Sequence, residues 1–166
     1  MQDLLNSTLI IYSDITKQLI EQKLSISTME SCTAGLIATL IANRHDSSKV
    51  INHSDVTYSI GAKVDCGVDR SIIDKYGVYS KETAVAMANA SKDSNRSNIG
   101  IGITGILDLK DDNYGGRVYY AISYNDKIFS HVINIPKEII GRFQRKLWVA
   151  NNIGVHLDDW LHEKED

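Results

Sequence analysis

The sequence predicts an α/β fold, a three-layer α/β/α sandwich with helices on both faces of a mixed central sheet. Helix-period and strand-period segments alternate through the first part of the chain, the signature of parallel strands joined by crossovers. A hairpin pattern comes late, which adds antiparallel strands to the same sheet. Between them, Ile99, Ile101 and Ile103 alternate with Gly100 and Gly102. Isoleucine on one face and no side chain on the other predicts a central strand that another element approaches closely.

Leu5, Leu9, Tyr12, Ile15 and Leu19 recur at three- and four-residue steps, so the chain opens with an amphipathic helix. Ser25 to Glu30 reads as a short strand. Residues 33–43 are apolar or small on nearly every face, which predicts a buried helix. Asp55 to Ile60 alternates Val56, Tyr58 and Ile60 and reads as a strand, ended by Gly61, with Lys63 just past the turn. Ser80 caps a helix running to about Ser91, with Ala84, Met87 and Ala88 facing inward. Two further strands lie near Arg117–Tyr124 and Lys127–Ile135, joined by the Tyr124-Asn125-Asp126 turn and ended by Pro136. The last helix covers roughly 137–163, where Trp148 and Trp160 serve as core or oligomer contacts. No repeat or linker divides the chain, so residues 1–166 are expected to form one domain.

Composition narrows the function classes. Lys plus Arg total 18 against 21 Asp plus Glu, a net charge of −3, which does not recommend nucleic acid as a partner. No apolar run approaches the length of a membrane span, and no secretory leader pattern opens the sequence, so a cytoplasmic protein with no membrane partner is expected. In that compartment Cys32 and Cys66 are expected as free thiols. The five histidines show no close metal-ligand spacing.

The chemistry concentrates at strand ends, where open α/β sheets hold their ligands. Ser31 falls between a strand and a helix, beside unpaired backbone N–H groups and the positive end of a helix dipole. A serine there is either a nucleophile with oxyanion donors nearby or a helix cap. Lys63 is either a base whose pKa burial lowers or a solvated surface lysine. Cys32 is either a thiol activated by the helix start or a small buried hydrophobe.

Three motifs occur together: Glu30-Ser31-Cys32-Thr33-Ala34-Gly35, then Tyr58-Ser59-Ile60-Gly61-Ala62-Lys63, then Ile103-Thr104-Gly105-Ile106. With Tyr76-Gly77-Val78-Tyr79-Ser80 they resemble the motifs of the CinA C-terminal domain family, over about residues 5 to 161. The resemblance implies that family's fold and the activity of its characterised members, hydrolysis of nicotinamide mononucleotide to nicotinic acid mononucleotide and ammonia. It implies Ser31 as nucleophile, Lys63 as base and Tyr58 as assistant, with Cys32, Thr33, Ala34, Gly35, Thr104, Gly105 and Arg142 lining the substrate site. It further implies a small-molecule nucleotide as partner, no metal and no organic cofactor, and assembly as a homodimer or larger homo-oligomer.

The motifs depart from the family at three places, of which Ile60 and the loop bear on that activity. Ala34 replaces a glycine of the first motif, and Ile60 replaces an asparagine of the second. The loop after Gly105 carries Asp108, Asp111 and Asp112 where the family runs through glycines and prolines. Three aspartates are expected to repel a phosphate. The basic segment Gly141-Arg142-Phe143-Gln144-Arg145-Lys146 offers cations for one. The alternative reading is a family member without deamidase activity, a module that binds a small ligand or a protein.

Overall fold

The structure is a computed structural model that describes residues 2–111 and 113–163. Its elements in order are α1 (Gln2–Glu21), β1 (Ile26–Glu30), α2 (Leu36–Ala42), a 3-10 turn (Ser47–Lys49), β2 (Ile51–Val56), α3 (Ile60–Asp65), α4 (Arg70–Tyr76), α5 (Lys81–Ser94), β3 (Ile99–Gly105), β4 (Arg117–Tyr124), β5 (Lys127–Asn134) and α6 (Arg142–His162). The five strands lie in the order β2-β1-β3-β4-β5. β1 pairs in parallel with β2 and β3, while β3–β4 and β4–β5 are antiparallel. The mixed sheet expected from the sequence is thus the observed one.

α1, α2 and α6 cover one face. Tyr12, Ile15, Leu19, Ile37, Ile41, Val149, Ile153 and Leu157 meet Ile26, Ile99, Ile101, Ile103, Tyr120 and Ile122 of the strands there. Each fully buried isoleucine of β3 contributes about 1.5–3 kcal/mol by leaving water. On the other face α4 and α5 bring Ile73, Met87, Ala84 and Ala88 against Met29 and Ala121. The expected close approach to β3 is made by the α5 backbone. A Cβ on Gly100 would sit 2.1 Å from the Ala88 carbonyl oxygen, and one on Gly102 would sit 2.3 Å from that of Ala84.

Three boundaries and one added helix differ from the sequence expectation, each for a local reason. α2 begins at Leu36 rather than residue 33, because Ala34 (φ 53°) and Gly35 (φ 87°) turn the chain through left-handed backbone. β2 ends at Val56, and Ser59 caps α3 by accepting from the Ala62 amide at 3.0 Å. The alternation of Val56, Tyr58 and Ile60 therefore marks exposed residues at the site end of the sheet rather than a half-buried strand. α6 begins at Arg142, since Gly141 adopts φ 92°. α4, which the sequence did not reveal, starts where Asp69 accepts from the Ser71 amide at 2.8 Å.

Candidate active site

The loop between β1 and α2 is organised by Glu30. Its side chain is fully buried, and its carboxylate accepts from the Thr33 hydroxyl at 2.6 Å and from the amides of Gly35, Ile37 and Ala38 at 3.0, 3.2 and 3.0 Å. The negative charge thus sits on the N-terminus of α2, where free amides and the helix dipole favour it. Ser31 is therefore not the cap of this helix. Gly35 occupies the cap position and Glu30 supplies the cap bonds. That frees the Ser31 hydroxyl for another partner.

The partner is Lys63, one turn into α3. Its Nζ donates to Ser31 Oγ at 3.2 Å and to the Thr57 carbonyl at 2.7 Å, and the side chain is 1% exposed. β1 and the segment after β2 are locked together at this point. The Thr57 amide donates to the Glu30 carbonyl at 2.8 Å, and the Ser31 amide donates to the Ile103 carbonyl at 3.1 Å. Burial disfavours the ammonium and lowers the Lys63 pKa from its ordinary 10.5. The solvated-lysine alternative is excluded by this burial.

Ser31 and Cys32 lie at one side of a cavity of about 170 Å³ also lined by Tyr58, Tyr79, Gly105, Ile106, Leu107 and Arg142. Burial pushes the Cys32 thiol up to about 12, so it stays protonated and fills space in the wall. Tyr58 is 58% exposed, and its hydroxyl accepts from Arg142 Nη2 at 2.8 Å across the mouth. Among the described residues it makes no hydrogen bond to Ser31 or Lys63. Gly105 belongs to the wall, where a Cβ would meet the Arg117 carbonyl oxygen at 2.5 Å. Thr33, Ala34, Gly35 and Thr104 do not line this cavity. Thr33 braces Glu30, Ala34 and Gly35 turn the loop, and Thr104 donates to the Val78 carbonyl at 2.8 Å.

The acidic loop is arranged differently from the expectation. One Asp108 oxygen accepts from the Lys110 amide at 3.0 Å, and one Asp111 oxygen accepts from the amides of Asn113 and Tyr114 at 3.0 and 2.6 Å. Both carboxylates shape their own loop and neither lines the cavity; Asp112 lies outside the described residues. Arg145, one of the candidate phosphate ligands, instead donates to the carbonyls of Ile139 and Leu107 at 3.0 and 3.1 Å. Glu30 and Tyr79 were not singled out from the sequence as builders of this site, and Arg145 only as a cation for a phosphate. Of the first two, Glu30 left a signal, as an acid beside Ser31 just before a turn.

Elsewhere, Asp14, Asp158 and His162 bring ligand-type atoms within 4.8 Å of one another on α1 and α6. The Gln18 amide already donates to both carboxylates, at 2.9 and 2.8 Å. Cys32 and Cys66 are free, and among the described residues no helix is long and apolar enough to cross a membrane.

Comparison with known proteins places this geometry among relatives. Residues 10–145 match the family model described as the CinA C-terminal domain. A putative competence-damage inducible protein of Clostridium acetobutylicum is 32% identical over 150 residues, covering 88% of this chain and 35% of the relative. One from Alkaliphilus oremlandii is 39% identical over 115 residues, covering 67% of this chain and 28% of the relative. The chain thus spans about a third of the length of these curated relatives. The crystal structure of the competence/damage inducible protein CihA from Agrobacterium tumefaciens superposes with a TM-score of 0.84 at 28% identity, covering 91% of this chain and 93% of that one. A CinA superfamily protein from Klebsiella pneumoniae gives a TM-score of 0.86 at 19% identity over 94% and 98% of the two chains, a likeness of fold.

Proposed function

The chain belongs to the CinA C-terminal domain family, and we propose that it is an amidohydrolase acting on nicotinamide mononucleotide, yielding nicotinic acid mononucleotide and ammonia. The observation that carries this reading is a buried lysine, its pKa lowered, 3.2 Å from a serine hydroxyl at a cavity wall. A hydroxyl becomes a nucleophile when a neutral base removes its proton as it attacks, and an amine kept neutral by burial serves as that base.

In this reading neutral Lys63 accepts the Ser31 proton while Oγ forms a bond to the carboxamide carbon. The carbonyl oxygen takes up the negative charge. In this reading backbone amides of the loop beside Ser31 are the donors assigned to it. As the C–N bond breaks, the Lys63 ammonium returns its proton to the nitrogen, and ammonia leaves an ester on Ser31. Water then attacks the ester, giving its proton to Lys63. Ser31 departs with that proton, and the acid formed releases its remaining proton to solvent, where the ammonia takes it up, leaving a carboxylate. Tyr58 assists from the mouth by holding Arg142, whose guanidinium faces the anionic end of the nucleotide.

Incubating the purified protein with the mononucleotide and assaying ammonia tests the proposal. The expected result is stoichiometric ammonia and acid product, lost in Ser31→Ala with the melting temperature unchanged, because Ser31 is not a helix cap. Tight binding of the mononucleotide with no ammonia released overturns it in favour of a ligand-binding module.

A further inference from the structure

The cavity has a wall that the proposed chemistry does not use. Tyr79 lines it from the short segment between α4 and α5. Its neighbours in sequence are pinned on both sides. The Val78 carbonyl accepts from Thr104 at the end of β3 at 2.8 Å, and Ser80 caps α5 through the Thr83 amide at 3.1 Å. Ser80 and Thr83 hydroxyls also donate to the Gly77 carbonyl, each at 2.8 Å. Behind Tyr79 stands Tyr114 of the acidic loop, with ring centroids 5.7 Å apart and planes inclined by 55°. Tilted rings at that separation attract one another. The backbone on either side of Tyr79 is thus held by Thr104 and Ser80, and its ring packs against a second ring.

Arg142 is a cation, Lys63 donates to Ser31, and among the described residues no carboxylate lines the cavity. The Glu30 carboxylate is buried and spent on amides. A positively charged ring entering here finds no counter-charge, and the electron-rich surface offered to it is the face of an aromatic side chain. Such faces attract cations. We propose that Tyr79, backed by Tyr114, is the surface on which the substrate's ring stacks, and that it makes the site select a cationic aromatic carboxamide, a pyridinium, over an uncharged one. The inference rests on the amidohydrolase reading for its substrate class. It assigns Tyr79 to binding and selectivity, and Thr104 to positioning Tyr79.

Binding to Ser31→Ala protein tests it without turnover, using two probes: nicotinamide mononucleotide and its reduced dihydropyridine form, which keeps the carboxamide, ribose and phosphate but loses the ring charge. The oxidised form is expected to bind about tenfold more tightly, within the range of a desolvated cation–π contact. Adding Tyr79→Leu is expected to bring that ratio to within about twofold of unity, while Tyr79→Phe, which keeps the ring, preserves it. Circular dichroism melts on each variant report folding, and the Phe variant keeps the test decisive if the Leu variant unfolds. Equal binding of the two probes by the Ser31→Ala protein overturns the proposal, as does a ratio that survives Tyr79→Leu. Ammonia release by the wild type is read separately. A charge preference without ammonia refutes the hydrolase and keeps the aromatic wall, whereas ammonia without a charge preference does the reverse.

Discussion

The two ends of the candidate site are built by opposite means. At the inner end Ser31, Lys63 and Glu30 are 6%, 1% and 0% exposed, and every one of them is tied to backbone or to another. At the mouth Tyr58 is 58% exposed, Arg142 is open to solvent, and they are joined by one hydrogen bond. A reacting atom placed 1 Å wrong costs rate, so the chemical end is locked. The recognition end needs only a cation and ring surfaces that a ligand can reach, and its side chains have room to move. Substitutions at the inner end should therefore act on kcat, and on stability where they strand buried backbone groups, and those at the mouth on KM.

The largest effect separates the two ends by stability. Glu30→Ala strands the amides of Gly35, Ile37 and Ala38 at a buried helix start. At about 1–3 kcal/mol for each buried group left unsatisfied, partly relieved by entering water, a loss of about 3–5 kcal/mol is expected in urea denaturation. A variant as stable as the parent would mean that the inner end is not held by this carboxylate. The next effect is kinetic. Arg142→Ala is expected to raise KM for the mononucleotide about tenfold, with kcat within about threefold, the value of one charge-assisted contact to phosphate. A fall confined to kcat would move Arg142 to the chemical end. The smallest effect concerns the acidic loop. Asp108→Asn should cost at most about 0.5–1 kcal/mol and leave mononucleotide affinity unchanged, because that carboxylate serves the Lys110 amide. A marked gain in affinity would show that the loop's charge reaches the phosphate after all.

The same contrast decides what the sequence made legible. The sheet and its flanking helices follow from periodicity, and Ile99 to Ile103 marked the β3 face that α5 approaches. Ser31 and Lys63 were legible because strand ends and turn chemistry place them. Their contact was implied by the resemblance and not by spacing, since it depends on Ser59 starting a helix shortly after β2. Glu30 escaped assignment because side-chain caps are ordinarily short residues one position before the helix. Here a longer acid six residues ahead of Leu36 reaches back over the turn made by Ala34 and Gly35. Arg145 and Tyr79 depend wholly on how distant segments dock. Arg145 reads as a free cation until Ile139 and Leu107 turn their carbonyls toward it. Tyr79 reads as a loop residue until Thr104 fixes its neighbour.

The central claim is that burial lowers the Lys63 pKa so that its neutral form serves as base beside Ser31, and the pH dependence of kcat/KM measures it most directly. A group whose pKa falls on folding is deprotonated, and able to act as base, at lower pH than in the unfolded chain. Activity should rise with pH through an inflection below 10.5, the ordinary lysine value, and then level off. Because the unfolded chain binds this proton more tightly, stability should also rise with pH between that inflection and 10.5. Lys63→Met is expected to lose about 10²–10⁴-fold in kcat, the range for a positioned base, and to lose both pH dependences. A Lys63→Met variant that retains activity, or a wild-type profile with no inflection below 10.5, would contradict the account.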